Sequence, residues 1–252
     1  MNPFVYAGLP CRVVFGVGSL MQLPSEVERL GAGRVLILST PEKSLNLQRV
    51  TEILGDRVAG VYDKAVMHVP LAIAEEAPHL AQQLAAHCCV TVGGGSTTGL
   101  GKAIALTSDL PILAVPTTYA GSEMTPIYGL TDAGMKKTGR DARVLPKTVI
   151  YDPALTLTLP PALSAASGMN AIAHCAEALY AHDGNPIISM MAEEGIRALA
   201  SALPTVVEDP ANMEARSEAL YGAWLAGITL GSAGVALHHK LCHVLGGTFN
   251  LP

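Results

Sequence analysis

Thr91-Val92-Gly93-Gly94-Gly95-Ser96-Thr97-Thr98-Gly99-Leu100-Gly101-Lys102 reads as a strand that runs into three glycines and then into the start of a helix. Glycine lets the backbone approach a ligand closely, and the unpaired N–H groups of a helix N-terminus stabilise an anion, so this turn suits a pyrophosphate. It is neither a Walker loop nor the G-x-G-x-x-G fingerprint, and taken alone it also fits a plain strand-to-helix connection. A second polar loop follows the next apolar run, Pro116-Thr117-Thr118-Tyr119-Ala120-Gly121-Ser122-Glu123. Taken alone, Thr118 or Ser122 could simply cap a helix. Two such loops on successive strands favour one bound dinucleotide.

Working outward, short β-rich runs at Arg12–Gly16, Val35–Ser39, Val58–Tyr62, Val90–Val92, Ile112–Val115 and Thr148–Tyr151 alternate with helical patterns at Met21–Leu30, Leu45–Leu54 and Ile73–Ala86. That alternation predicts a mostly parallel sheet covered on both faces, with ligands at the carboxyl ends of its strands. After Asp152-Pro153 the character changes. From Pro160-Pro161 onward the chain is rich in Ala, Leu, Met and Glu and offers no further strand, with Pro160, Pro161, Pro186, Pro204 and Pro210 each suited to a helix start or a loop. The expected division is an α/β dinucleotide-binding domain over 1–155 and an all-helical domain over 156–252. The ending Gly246-Gly247-Thr248-Phe249-Asn250-Leu251-Pro252 is loop-like and follows an apolar helix, which leads us to expect the helical domain to be incomplete.

With 252 residues, half of them apolar and 15% charged, the chain can bury a sizeable core. Its formal charge of −5, with Lys and Arg scattered, lacks the footprint of a nucleic-acid binder. Five cysteines without metal-finger spacing read as reduced thiols of a cytoplasmic protein, and no signal peptide is visible. Ala219–Leu237 holds no charge over nineteen residues, but Gly222, Gly227, Gly231 and Gly234 and the absence of a basic flank favour buried core over a membrane span.

The helical half carries its own constellation. Asn170 and His174 are four apart and Glu177 three further on, so all three can share a helical face; His239 and His243 repeat the four-residue spacing. Histidines from two helices can share a metal, although a single histidine on an apolar helix is more often a satisfied core residue.

These motifs, in this order along the chain, resemble the iron-containing alcohol dehydrogenase family: Gly93-Gly94-Gly95-Ser96 through Lys102, Pro116-Thr117-Thr118 through Glu123, Gly168-Met169-Asn170-Ala171 with His174 and Glu177, and His239-x-x-x-His243-x-Leu245-Gly246. The Gly-Met-Asn-Ala and Gly-Leu-Gly-Lys stretches and Cys242-His243-Val244-Leu245-Gly246-Gly247 look like its maleylacetate reductase branch. The resemblance implies a dehydroquinate synthase-like architecture and NAD(P)H-dependent reduction of maleylacetate to 3-oxoadipate. It also implies a homodimer acting on a small dicarboxylate, without nucleic acid or membrane partners. It points to Gly93, Gly94, Gly95, Ser96 and Thr97, to Thr117, Thr118, Tyr119, Gly121 and Ser122, and to Lys137 as cofactor-binding residues. His243 is the first candidate for the acid that protonates the enolate, followed by His239 and His174, while Lys240 or Lys102 could stabilise the substrate's negative charge.

Metal-dependent members place an aspartate where this chain has Asn170, use histidines matching His174 and His239, and would supply a last histidine just after Pro252. An amide is a poor ligand, so we expect no metal and assign no metal-binding residue. Ser39-Thr40-Pro41 carries no carboxylate to repel a 2′-phosphate, so NADH should serve and NADPH be tolerated. The alternatives are a metal-dependent alcohol or glycerol dehydrogenase of the same family, a nucleotide-binding module without catalysis, and, more remotely, a 3-dehydroquinate synthase-like enzyme.

Overall fold

The computed structural model describes residues 3–42, 44–66, 69–132, 135–234 and 236–249; the side chains of residues 132, 135, 136, 243 and 246–249 lie outside that description. The chain forms two compact units. One comprises Cys11–Thr118 and Pro126–Thr156, the other Met1–Pro10, Tyr119–Thr125 and Leu157–Pro252.

The first unit is built on β1 (Arg12–Phe15), β2 (Val35–Leu38), β3 (Val58–Tyr62), β4 (Cys88–Gly93), β5 (Ile112–Pro116) and, after a separate hairpin of β6 (Ile127–Asp132) and β7 (Met135–Arg140), β8 (Thr148–Tyr151). Six strands pair in parallel in the order β1-β8-β5-β4-β2-β3. Strand periodicity explains the unbroken apolar run of β2. Val35 and Ile37 pack on one face with α1 (Leu23–Arg29) and α2 (Leu45–Leu54); Leu36 and Leu38 pack on the other with α3 (Leu71–Gln83) and α4 (Gly95–Ser108). The fully buried Val, Leu and Ile side chains contribute roughly 1.5–3 kcal/mol each.

Helix α2 leaves β2 toward one face, and α4 leaves the neighbouring β4 toward the other. Strand order therefore reverses between β2 and β4, and Ser39 and the glycine turn lie at the carboxyl ends of these strands, the place where open parallel sheets take ligands. Cys88 and Cys89 open β4, and burial pushes the Cys88 thiol up to about 12. None of the five cysteines is in a disulfide.

The second unit is helical: α5 (Pro161–Tyr180), α6 (Pro186–Glu208), α7 (Met213–Ser232) and α8 (Leu237–Phe249). Asn185 caps α6, its side chain accepting from the N–H groups of Ile187 and Ile188, and Asn212 caps α7 through the N–H of Ala215. Of the uncharged stretch Ala219–Leu237 read as buried core, residues 219–232 lie in α7, with Ala219, Leu220, Ala223 and Ala226 fully buried, whereas Leu237 is exposed. Among the described residues no helix is long and apolar enough to cross a membrane. Its glycines allow close approach: a Cβ on Gly222 would meet the Gly195 carbonyl at 3.0 Å, and one on Gly231 the Met124 carbonyl at 2.7 Å.

Two sequence expectations change. Pro204 lies inside α6 instead of at a boundary. It sits on the exposed face, where water can satisfy the carbonyl it frees, while buried Ala202, Leu203 and Val206 carry the helix past it. The β6–β7 hairpin was not foreseen. Met135-Lys136-Lys137-Thr138-Gly139-Arg140 lacks the apolar alternation that marks a half-buried strand.

Candidate functional site

The glycine turn is held from beneath. Gly93 has φ +143°, a region L side chains rarely adopt, and a Cβ there would lie 2.9 Å from Thr97 Oγ1; a Cβ on Gly94 would lie 2.9 Å from Thr118 Oγ1. Thr97 is fully buried and its hydroxyl donates to the Gly94 carbonyl (2.9 Å), closing the turn from within. The Thr117 N–H donates to the Gly93 carbonyl (3.0 Å), so the ends of β4 and β5 are tied together. Helix α4 then starts at Gly95, which is exposed, and at half-buried Ser96, with no side chain capping it. Such an end presents open N–H groups to an anion.

The second loop divides. Thr117 and Thr118 belong to the α/β unit, whereas Tyr119, Gly121 and Ser122 belong to the helical one. Tyr119 is fully buried: its N–H donates to Ser167 Oγ (3.1 Å) and its Oη lies 3.5 Å from Arg216 Nη1. Gly121 has φ +77° and passes so close to α7 that a Cβ would meet the Gly227 Cα at 3.1 Å. Ser122 opens a short 3-10 turn, Ser122–Met124. Lys137 is exposed on β7, opposite Leu130. Lys102 is fully buried and its ammonium donates to the Ile127 carbonyl (2.6 Å), which removes it as a cation for substrate.

The helical constellation assembles around Asn170. Its Nδ2 lies 3.0 Å from His174 Nε2 and its Oδ1 3.3 Å from His239 Nε2, and the two imidazoles stack with centroids 4.1 Å apart. Both histidines are buried. Glu177 backs them. Its Oε2 is 2.5 Å from His239 Nδ1 and its Oε1 accepts from the His239 N–H (3.1 Å). Burial alone would raise the Glu177 pKa, but the His239 N–H, its imidazole and the Ala236 N–H outweigh that and hold the carboxyl below its usual range. Lys240 is exposed on α8, and His243 lies on the same helix with its side chain outside the described residues.

Arg216 escaped the sequence reading, since an arginine on an Ala-rich helix reads as a solvated charge. It is fully buried, and its guanidinium donates to Ser164 Oγ (2.7 Å), the Pro210 carbonyl (3.0 Å) and the Leu159 carbonyl (3.2 Å), with Tyr119 Oη at 3.5 Å. Neutral acceptors replace a counter-ion here.

Two family models match: "Iron-containing alcohol dehydrogenase" over residues 10–153 and "Fe-containing alcohol dehydrogenase family, C-terminal" over residues 164–252. The chain is 62% identical over its whole length to a maleylacetate reductase of Burkholderia cepacia, spanning 72% of that protein. It is 59% identical over 99% of its length to one of Sphingobium indicum, spanning 70% of it. A crystal structure of maleylacetate reductase from Agrobacterium tumefaciens superposes with a TM-score of 0.97 at 53% identity, covering all of this chain and 72% of that one.

The expectation of a metal-free site is therefore corrected, because both matching models are described as iron- or Fe-containing. The sequence argument gave the amide at Asn170 too much weight. Exchanging a carboxylate for an amide removes a charge, yet the Nε2 atoms of His174 and His239 still converge on residue 170, and imidazole nitrogen suits iron. The donors that fit are those two imidazoles and the Asn170 carboxamide oxygen. Among the described residues, no three or more His, Cys, Asp or Glu side chains are grouped to hold a metal.

Proposed function

The chain belongs to the iron-containing alcohol dehydrogenase family, and from that premise we infer that it reduces maleylacetate to 3-oxoadipate with a nicotinamide cofactor. The observation that carries the inference is the similarity to maleylacetate reductases along the entire chain. The 1–155 segment is the nucleotide-binding domain in this reading and 156–252 the helical one.

The open N–H groups at the start of α4 and the reversal of strand order between β2 and β4 support a seat for the cofactor pyrophosphate at Gly93, Gly94, Gly95 and Ser96. The Thr97 hydroxyl and the Tyr119 ring face inward and shape the two loops from behind. A reduced nicotinamide bound there would supply the hydride for the alkene carbon β to the ketone. The resulting enolate takes a proton at the carbon α to the ketone, and His243 is our candidate donor. His174 and His239 would hold an iron ion, which would supply Lewis acidity at the ketone. Lys240 is exposed and has the charge to meet a substrate carboxylate.

NADH serves and NADPH is tolerated in this reading, because β2 ends in Ser39-Thr40 without a carboxylate. We also read the protein as a cytoplasmic homodimer; five cysteines without a disulfide suit a reducing compartment. Loss of NADH absorbance on adding freshly prepared maleylacetate tests the assignment, and repeating it with NADPH tests cofactor choice. No turnover with maleylacetate, alongside turnover of a simple alcohol, would move the chain to the alcohol dehydrogenase alternative. A preference for NADH well beyond about tenfold, or roughly 1.4 kcal/mol, would overturn the cofactor reading.

A further inference from the structure

We infer that Glu177 is a positioning residue of this site: its carboxylate docks the first turn of α8 and fixes His239 with the proton on Nδ1, so that the Nε2 lone pair is presented toward Asn170 and His174. The inference deepens the proposed function, since it rests on His239 acting in that site.

The first N–H groups of a helix have no partner within it and need one from elsewhere. Of the residues leading into α8, Gly234, Val235 and Ala236 carry no side chain able to cap it. Glu177, sixty-two positions earlier on α5, does so from outside, accepting from the backbone N–H groups of Ala236 and His239. Its other oxygen meets the imidazole of that same His239, and Tyr180 Oη lies 3.4 Å from Oε1. Glu177 is only 3% exposed, so these bonds replace its water.

The chemistry follows from what each group can do. An ionised carboxylate only accepts, so the contact at Nδ1 requires the proton to be on that nitrogen. A proton held on Nδ1 makes Nε2 the nitrogen available to ligate. Asn170 Oδ1 lies 3.3 Å from it, near enough for the two atoms to share a cation. In this arrangement His239 serves as a ligand, and the proton-donor role falls to another group. A carboxylate behind a ligating imidazole is the usual means of fixing that tautomer.

The test is nitrogen-15 NMR of histidine-labelled protein, with His239 assigned from the signals lost in His239→Gln, alongside steady-state kinetics. In the parent protein His239 should show a protonated Nδ1 and a bare Nε2. Glu177→Gln should shift the proton toward Nε2 and lower kcat with maleylacetate by about 10–100-fold, with KM for NADH unchanged and partial recovery in Glu177→Asp. A parent spectrum with the proton on Nε2 overturns the inference, as does a Glu177→Gln variant with parental tautomer and kcat. Should Glu177→Gln fail to fold by circular dichroism, the parent spectrum still decides. Absence of maleylacetate turnover with the expected tautomer would overturn the substrate assignment and leave the role of Glu177 standing.

Discussion

The glycine turn and the imidazole cluster are built on opposite principles. At Gly93 and Gly94 the site depends on the absence of side chains: a Cβ at either position would collide with Thr97 or Thr118, and the functional groups are backbone N–H. At Asn170, His174, Glu177 and His239 everything depends on side chains brought together from two helices, and the backbone serves as scaffold. Fixed backbone geometry survives as long as the strand and helix around it do. A side-chain cluster depends on every helix that carries a member, so the second site should be the more fragile.

The largest effect tests that fragility. Arg216→Met strips the partner from Ser164 Oγ and from the carbonyls of Leu159 and Pro210, all within the helical unit, and should cost about 3–5 kcal/mol. The urea midpoint is the measurement, and an unchanged midpoint would mean that water takes over the role of the guanidinium. Next, His239→Asn should lower kcat by about 100-fold while leaving KM for NADH in place; a parallel loss of NADH affinity would break the separation drawn between the two sites. Gly93→Ala should do the reverse. A side chain at φ +143° costs about 1–3 kcal/mol, so NADH affinity measured by fluorescence titration should fall about tenfold or more, with the imidazole resonances unmoved. The mildest is Asn170→Asp, which restores a charged oxygen beside two imidazoles and should raise iron retention against a chelator by about tenfold. Unchanged retention would show that the two histidines alone set the affinity.

The turn was legible in the sequence because missing side chains are visible there: three glycines after an apolar run leave few conformations to choose from. The pairing of Asn170 with His174 was legible for a similar reason, since a spacing of four fixes a shared helical face. The action of Glu177 on His239 depends on how two helices dock, and no local pattern encodes that. Arg216 was hidden by its charge, and the hairpin of β6 and β7 by strands whose polar residues show no period of two. Pro204 misled because the rule against proline in a helix weakens where the freed carbonyl faces water.

The segment Tyr119–Thr125 interrupts the α/β sequence, yet it belongs to the helical unit, where Gly121 lies against Gly227 and Met124 against Gly227 and Gly231. Made from its N-terminus onward, the chain can complete the sheet once β8 has emerged. By then the inserted segment is also out, with its apolar side chains and no α7 to receive them. Some sixty residues more must be synthesised before that helix begins, a wait of roughly 3–12 s at 5–20 residues per second. During that interval a folded half carries an unpacked loop in its middle with Tyr119 and Met124 uncovered, and a nascent chain halted there is the form most exposed to wrong partners.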